Sequence, residues 1–394
     1  MTNRYLTVNT GIPNSAYVHI PFCRRRCFYC DFPVFVVGDR LRGETSGSIA
    51  QYVEVLCQEI TMTPNLGEPL VTIFFGGGTP SLLSPQQLEL ILTALDRRFG
   101  ISPGAEISVE MDPGTFDLRQ IQKYKHAGVN RVSLGVQAFQ DDLLKVCGRS
   151  HSVSDILASV DLIHQVQIPE FSLDLISGLP HQTLDRWQDS LEKAIATSPT
   201  HISIYDLTIE SSTAFGRYYK PGDQPLPSDE TTVKMYQLAQ RILTNAGYEH
   251  YEISNYAQPG HQCRHNLVYW QNRPYYGFGM GAASYVEAKR FTRPRKTKEY
   301  YQWIQDGGAI DCEPTASEEV LLDTLMLGLR LAEGLSLAKL AADFGEDRVE
   351  RIHTICQPYY EKGWVKVVEG RLRLSDPQGF LFSNVVLASL FEQL

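Results

Sequence analysis

The chain has no apolar run long enough to span a bilayer: stretches such as VVLASLF (385–391) fall far short of the ~20 residues a spanning helix needs. Its opening residues, MTNRYLTVNTGIPNS, lack the apolar core of a signal peptide. There is no basic excess either, since 36 Lys and Arg stand against 45 Asp and Glu for a formal charge of −9. That balance gives no electrostatic footprint for nucleic acid or an anionic membrane surface. Cysteine is sparse, eight in 394 residues, and five of them (Cys57, Cys147, Cys263, Cys312, Cys356) are scattered in the manner of small buried hydrophobes. These absences read as a soluble cytoplasmic protein, where clustered thiols belong to a metal or redox site before a disulfide.

The other three cysteines are packed together. Cys23, Cys27 and Cys30 lie in HIPFCRRRCFYCDF, spaced C-x3-C-x2-C, with Asp31 and Phe32 following instead of a fourth cysteine. A structural zinc site closes with four ligands, usually in C-x2-C pairs. His19 is a conceivable fourth, but on a strand it is better read as packed or hydrogen-bonded. A redox pair needs no third thiol. An iron–sulfur cubane takes four thiolates, and three leave one iron open for a substrate group. The arginines between them, Arg24 to Arg26, read as a solvated loop face whose charge also favours thiolates.

Short β-branched runs at 16–20, 71–75, 106–110, 131–136, 171–176 and 201–207 alternate with helical segments such as SPQQLELILTALDRRFG and TLDRWQDSLEKAIA. Alternation of this kind implies a parallel α/β sheet with crossover helices. Six such units are too few for a closed eight-stranded barrel, so an open or partial barrel is expected, with a doubly wound sheet as the alternative. Gly76, Gly77, Gly78, Thr79 and Pro80 follow the second strand, Glu110 and Asp112 end the third, Gln137 follows the fourth, and Asp174 sits late in the fifth. Ligands bind at the carboxyl ends of parallel strands, so these residues and the cysteines are expected at one mouth. A Pro-, Gly- and Ser-rich loop occupies 211–230, and composition changes again near 293–300. Domains at 1–295 and 296–394 are therefore expected. The second, with three helices, a hairpin and a terminal helix, has a winged-helix-like α+β order. Its 10 Lys and Arg against 16 Asp and Glu do not suit nucleic acid.

The cysteine triplet with an aromatic before its last member, followed after the next strand by GGGTP, resembles the radical S-adenosylmethionine superfamily. Within it the chain is similar to the branch holding oxygen-independent coproporphyrinogen III dehydrogenase (oxidase) and the heme chaperones. The likeness runs through YVHIPFC, FFGGGTPSLL, EISVEMDPGT, GVNRVSLGVQAF, FSLDLISGLP and CRHNLVYW. It implies a partial (β/α)6 TIM-like barrel with a [4Fe–4S] cluster on Cys23, Cys27 and Cys30. S-adenosylmethionine would sit at the open iron, where electron transfer releases methionine and a 5′-deoxyadenosyl radical. Carried across by motif, Tyr17, Gly77 and Glu110 contact S-adenosylmethionine. Tyr29, Gly78, Thr79, Gln137, Arg149, Asp174 and Thr208 align with contacts to a second molecule in the dehydrogenase, Thr208 being the loosest match. Read without the family, Gln137 is a satisfied buried amide, Arg149 a surface cation or a partner of Asp174, and Tyr17 core packing.

Two functions share this scaffold: oxidative decarboxylation of coproporphyrinogen III, and delivery of heme to acceptor apoproteins. The carrier is favoured. The dehydrogenase motif has a fourth cysteine where this chain has Phe32, and only 16 residues precede Tyr17. In addition, HNLVYW (265–270) fits the H-N-x-x-Y-W motif that the resemblance associates with heme, with His265 as axial ligand and Asn266, Tyr269 and Trp270 orienting or stacking on the macrocycle. The same residues serve equally as core or interdomain aromatics and a hydrogen-bonding histidine at the domain junction. Cys263 and Met280 are weaker ligand candidates; the family's Cys and His in the next segment are Met280 and Ala283 here. The implied partners are heme, heme-accepting apoproteins of respiratory, membrane-associated kind, and a reductant such as ferredoxin or flavodoxin.

Overall fold

A computed structural model describes residues 11–39 and 42–394. Strands and helices alternate from the start: β1 (Ser15–Ile20), α1 (Gly47–Met62), β2 (Leu70–Gly77), α2 (Pro85–Phe99), β3 (Ile101–Met111), α3 (Leu118–His126), β4 (Arg131–Gln137), α4 (Val153–Val166), β5 (Glu170–Ser177), α5 (Leu184–Ala196) and β6 (His201–Asp206). The helices begin where the sequence supplies caps. Ser84 and Gln87 form a reciprocal capping box at α2 with Pro85 in the first turn, and Ser152 with Asp155 does the same at α4. The six strands pair in parallel in chain order, the arrangement expected of a partial (β/α)6 barrel.

Alternation along the strands separates two faces. Ile73, Phe75, Val109, Val132, Leu134, Leu173 and Leu175 are buried in the main core, together with α-helical Leu88, Ile91, Ile163 and Leu191. The residues between them are polar: Thr72, Glu106, Ser108, Arg131, Ser172, His201 and Ser203 are all buried as well. An inner face that is both buried and polar must satisfy itself by hydrogen bonds or by a ligand.

The chain then continues through α6 (Asp229–Asn245), β7 (Glu249–Glu252), β8 (Asn255–Ala257), α7 (Arg264–Trp270), β9 (Tyr276–Phe278) and α8 (Thr297–Gln305). The β7–β8 hairpin pairs antiparallel to β6, and β9 pairs parallel to β1 at the other edge, extending the sheet to nine strands. Gly279 and Gly281, at the carboxyl end of β9, pack against His19 and Pro33. Helix α7 closes the barrel at the amino-terminal ends of the strands. Glu106 accepts from the backbone N–H of Arg264 (3.1 Å) and His265 (2.9 Å) and pairs with Arg131 at 3.1 Å.

A second hydrophobic cluster forms from α9 (Ser317–Gly328), α10 (Leu337–Phe344), α11 (Glu346–Glu361), β10 (Val365–Val368), β11 (Arg371–Leu374) and α12 (Ser383–Gln393). Leu335–Ser336, β11 and β10 make its antiparallel sheet, the winged-helix-like order read from sequence. Tyr300 and Ile304 of α8 pack in the first cluster, and Tyr236 of α6 in the second. Among the described residues no helix is long and apolar enough to cross a membrane.

Candidate functional site

A cavity of about 490 Å³ opens at the carboxyl ends of the six parallel strands. Cys23, Cys27, Cys30, Tyr29, Gly77, Gly78, Thr79, Glu110, Gln137, Arg149, Asp174 and Thr208 all line it. Alternation explains the convergence: residues two apart at the end of one strand share its inner face. Asp112 and Ser133 line the cavity too. The sequence marked Asp112 only as a strand-end carboxylate and missed Ser133, although both follow from the same period of two.

The cysteine loop is fastened by backbone bonds. Phe22–Cys23 pairs in parallel with Phe35–Val36, the N–H of Phe28 donates to the Cys147 carbonyl at 3.0 Å, and that of Cys30 to the Cys27 carbonyl at 3.2 Å. All three thiols are free. Burial raises the Cys23 thiol to about 12 and lifts that of Cys30 as well, so a bound cation is needed to hold them as thiolates. Among the described residues no three His, Cys, Asp or Glu side chains close round a single ion. Three partly exposed thiols spread along one cavity wall suit separate corners of a cluster better than one tetrahedral metal.

GGGTP is shaped by the protein as much as by any ligand. Gly77 has φ +112°, and a Cβ there would stand 2.4 Å from the His19 ring. A Cβ on Gly78 would stand 2.7 Å from the Phe22 carbonyl oxygen. Thr79 was expected to contact a ligand, and it carries two donors, its N–H and its hydroxyl. The structure engages both, the N–H with the Phe22 carbonyl (2.7 Å) and the hydroxyl with Asp112 (3.0 Å).

Arg149 also departs from expectation. It is buried and pairs with Asp112 at 2.5 Å, not with Asp174, while Nη1 donates to Cys27 Sγ at 3.4 Å. Asp174 accepts from the Ser133 hydroxyl at both oxygens, 3.0 and 2.9 Å. Gln137 is not a satisfied amide: it is buried with φ +64°, and its Oε1 has no hydrogen-bond partner. A left-handed non-glycine residue costs on the order of 1–2 kcal/mol. A strained residue with an orphaned acceptor in a cavity wall marks a place for a ligand donor. Tyr17 does not line the cavity. Its ring lies one layer below, 6.3 Å from Phe74, and its hydroxyl meets His19 Nδ1 at 3.0 Å.

Burial, and then the charge of Asp174, raises Glu110 to about 8; burial raises Asp174 to about 6. In the unfolded chain Glu110 ionises near 4.5, so between pH 4.5 and 8 the folded state binds the extra proton and stability falls as pH rises. The unliganded protein is expected to lose stability over this window, by on the order of 4 kcal/mol at most from Glu110. Urea titrations at pH 5 and 8 check this, since Glu110→Gln should flatten the dependence.

A family model for the Radical SAM superfamily matches residues 17–194, and one for the HemN C-terminal domain matches 316–382. The chain is 46% identical to the heme chaperone HemW of Synechocystis sp., over 98% of this chain and 99% of that protein. It is 34% identical to HemW of Bacillus subtilis over 96% and 100% of the two chains. This chain belongs to the HemW family. Its fold is that of the Escherichia coli coproporphyrinogen III oxidase HemN, with a TM-score of 0.83 at 23% identity over 99% of this chain and 93% of that one. Membership of the radical S-adenosylmethionine superfamily implies a [4Fe–4S] cluster and S-adenosylmethionine, and the three free thiols and the orphaned Gln137 acceptor fit them.

The HNLVYW stretch, expected to hold heme, is not at the mouth. It forms α7 at the opposite end of the barrel. His265 is 0% exposed, with Nδ1 2.8 Å from the Thr72 hydroxyl and Nε2 2.8 Å from the Tyr269 hydroxyl. Burial lowers its pKa to about 3, so the ring stays neutral. Trp270 faces elsewhere, lining a separate groove of about 280 Å³ with Tyr285 and with Phe344, which packs on the second cluster; Asn266 is half-buried and lines neither this groove nor the mouth. With both imidazole nitrogens engaged and its aromatics divided between two spaces, the set does not fit heme iron in this arrangement. Met280 and Cys263 are buried as well, Met280 accepting from the Thr297 hydroxyl at 3.3 Å.

Proposed function

We propose that this protein is a heme chaperone, which binds heme and passes it to acceptor apoproteins, and that Cys23, Cys27 and Cys30 hold a [4Fe–4S] cluster with S-adenosylmethionine at the fourth iron. The observation that carries the first part is likeness over nearly the whole length to proteins named heme chaperones. Likeness to the oxidase at 23% identity supports a shared fold alone. Phe32, 59% exposed beside the cysteine loop, stands where the oxidase-type motif has a thiol.

When bound, such a cluster supplies an electron to S-adenosylmethionine. The chain's own groups prepare the place. Arg149 holds positive charge against Cys27, and Asp112 keeps the guanidinium in position. Glu110, still protonated at neutral pH, is fixed by the Gly77 N–H at 3.0 Å. Gln137 lines the cavity and keeps a buried carbonyl oxygen without a partner. Respiratory, membrane-associated acceptors and a ferredoxin- or flavodoxin-like reductant are the partners this reading implies.

The reconstituted protein is expected to bind heme saturably in a titration followed by Soret absorbance. Under the same anaerobic conditions, with S-adenosylmethionine and a reductant, it is expected to leave coproporphyrinogen III unconverted. Absence of saturable heme binding, or turnover to protoporphyrinogen, would sink the reading in favour of the dehydrogenase.

A further inference from the structure

A continuous column of rings runs through the barrel interior from α7 toward the mouth. The imidazole of His265 stacks on Phe74 of β2, centroids 5.3 Å apart and planes 23° from parallel. Phe74 in turn stacks on Tyr17 of β1, at 6.3 Å and 22°. The Tyr17 hydroxyl meets His19 Nδ1 at 3.0 Å. The His19 ring occupies the space where a side chain on Gly77 would be, 2.4 Å from an ideal Cβ. Gly77 donates its N–H to Glu110 Oε2 at 3.0 Å, and an ideal Cβ on neighbouring Gly76 would stand 3.0 Å from the Tyr17 ring and 3.1 Å from Glu110 Oε1. Every step is a direct contact, from the motif histidine to the glycine turn.

The lower end of the column is fixed. Thr72 and Tyr269 hydroxyls hold the two nitrogens of His265, each 2.8 Å away. A neutral imidazole has one N–H and one lone pair, so the two hydroxyls play opposite roles and set the ring's orientation. Glu106 clamps the first turn of α7 through the N–H groups of Arg264 and His265. Phe74 and Tyr17 are half-buried, so a displacement travels along the column through the ring contacts and the Tyr17–His19 hydrogen bond themselves.

We infer that His265 is a positioning residue for the S-adenosylmethionine end of the barrel: through Phe74, Tyr17 and His19 it sets the height of Gly77 and the orientation of Glu110. This rests on S-adenosylmethionine meeting Gly77 and Glu110, as proposed above, and not on heme binding. It assigns to the motif histidine a task at the far end of the barrel from its own helix.

The test is S-adenosylmethionine binding to the anaerobically reconstituted protein, read by calorimetry and by the change in the reduced cluster's electron paramagnetic resonance spectrum on addition. His265→Ala is expected to weaken binding about tenfold, the loss of one well-stacked, hydrogen-bonded ring, and to diminish the spectral change, with iron and sulfide content unaltered. His265→Gln, which keeps a donor and an acceptor, is expected to recover part of both. Should His265→Ala fail to fold, Phe74→Leu interrupts the column while leaving the motif intact and is expected to weaken binding to a similar extent. Wild-type affinity and spectrum in a folded His265→Ala or Phe74→Leu protein would overturn the inference. So would a His265→Ala protein that loses heme while binding S-adenosylmethionine normally. Failure of the wild type to bind heme would instead count against the chaperone reading and leave this result unaffected.

Discussion

Replacing any one of Cys23, Cys27 and Cys30 by Ala is expected to abolish the visible chromophore of the reconstituted protein. A cubane on three thiolates has no spare protein ligand, and a methyl group cannot coordinate iron. The nearest candidate substitute, Cys147, is fully buried, and burial raises its thiol to about 12. Its backbone carbonyl is tied to the loop by the Phe28 N–H. The fold itself should be little affected, because all three cysteines are partly exposed and none belongs to the main hydrophobic core. Substitutions of this kind usually change stability by less than about 0.5 kcal/mol. Iron and sulfide analysis, beside thermal unfolding of the unreconstituted proteins, separates the two effects. Full iron and sulfide content in any single variant would refute the assignment, whereas Cys57→Ala and Cys312→Ala should leave the chromophore at wild-type intensity.

The parts of this site that are legible in the sequence share one property: they are local to a strand end. Glu110, Gln137 and Asp174 are placed by counting along β3, β4 and β5, and the same count reaches Asp112 and Ser133. The triplet is legible because its spacing limits which metal centres it can serve. What the sequence does not disclose is which neighbour each side chain satisfies. Arg149 pairs with Asp112 instead of Asp174, and Thr79 turns its hydroxyl inward, because pairing depends on strand order and register, which no single segment contains. The edge strand β9 was missed for a related reason. Three residues, Tyr276–Phe278, are too few for a pattern of period two to stand out among glycines, and their strand character comes from pairing with β1. His265 shows the limit most clearly. Its motif spacing is consistent with an exposed ligand and with a buried floor, and only the contacts with Thr72, Phe74 and Tyr269 decide between them.

Those long-range pairings also predict where the fold is most vulnerable. Glu59→Ala is expected to be among the most damaging single substitutions outside the cluster loop. Glu59 on α1 accepts from Arg293 Nε at 2.7 Å with one oxygen, and from the Gly279 N–H (2.8 Å) and the Tyr300 hydroxyl (2.7 Å) with the other. Both members of the ion pair are 2% exposed. One carboxylate therefore joins α1, the turn after β9, Arg293 and α8. Its removal leaves Arg293 buried without a counter-charge, at a cost of about 3–5 kcal/mol, and two buried donors without an acceptor. Against a total stability of about 5–15 kcal/mol, that is enough to shift the protein toward unfolding at physiological temperature. Urea unfolding of the unreconstituted protein measures the loss. The charge, and not the volume, is responsible if Glu59→Leu combined with Arg293→Met is less destabilised than Glu59→Ala, because replacing both ions leaves neither uncompensated. Hydrogen exchange should rise first in 279–305, the segment the carboxylate ties down. A Glu59→Ala protein within about 1 kcal/mol of wild type would mean that Arg293 finds another partner, and that α8 is held by the packing of Tyr300 and Ile304 alone.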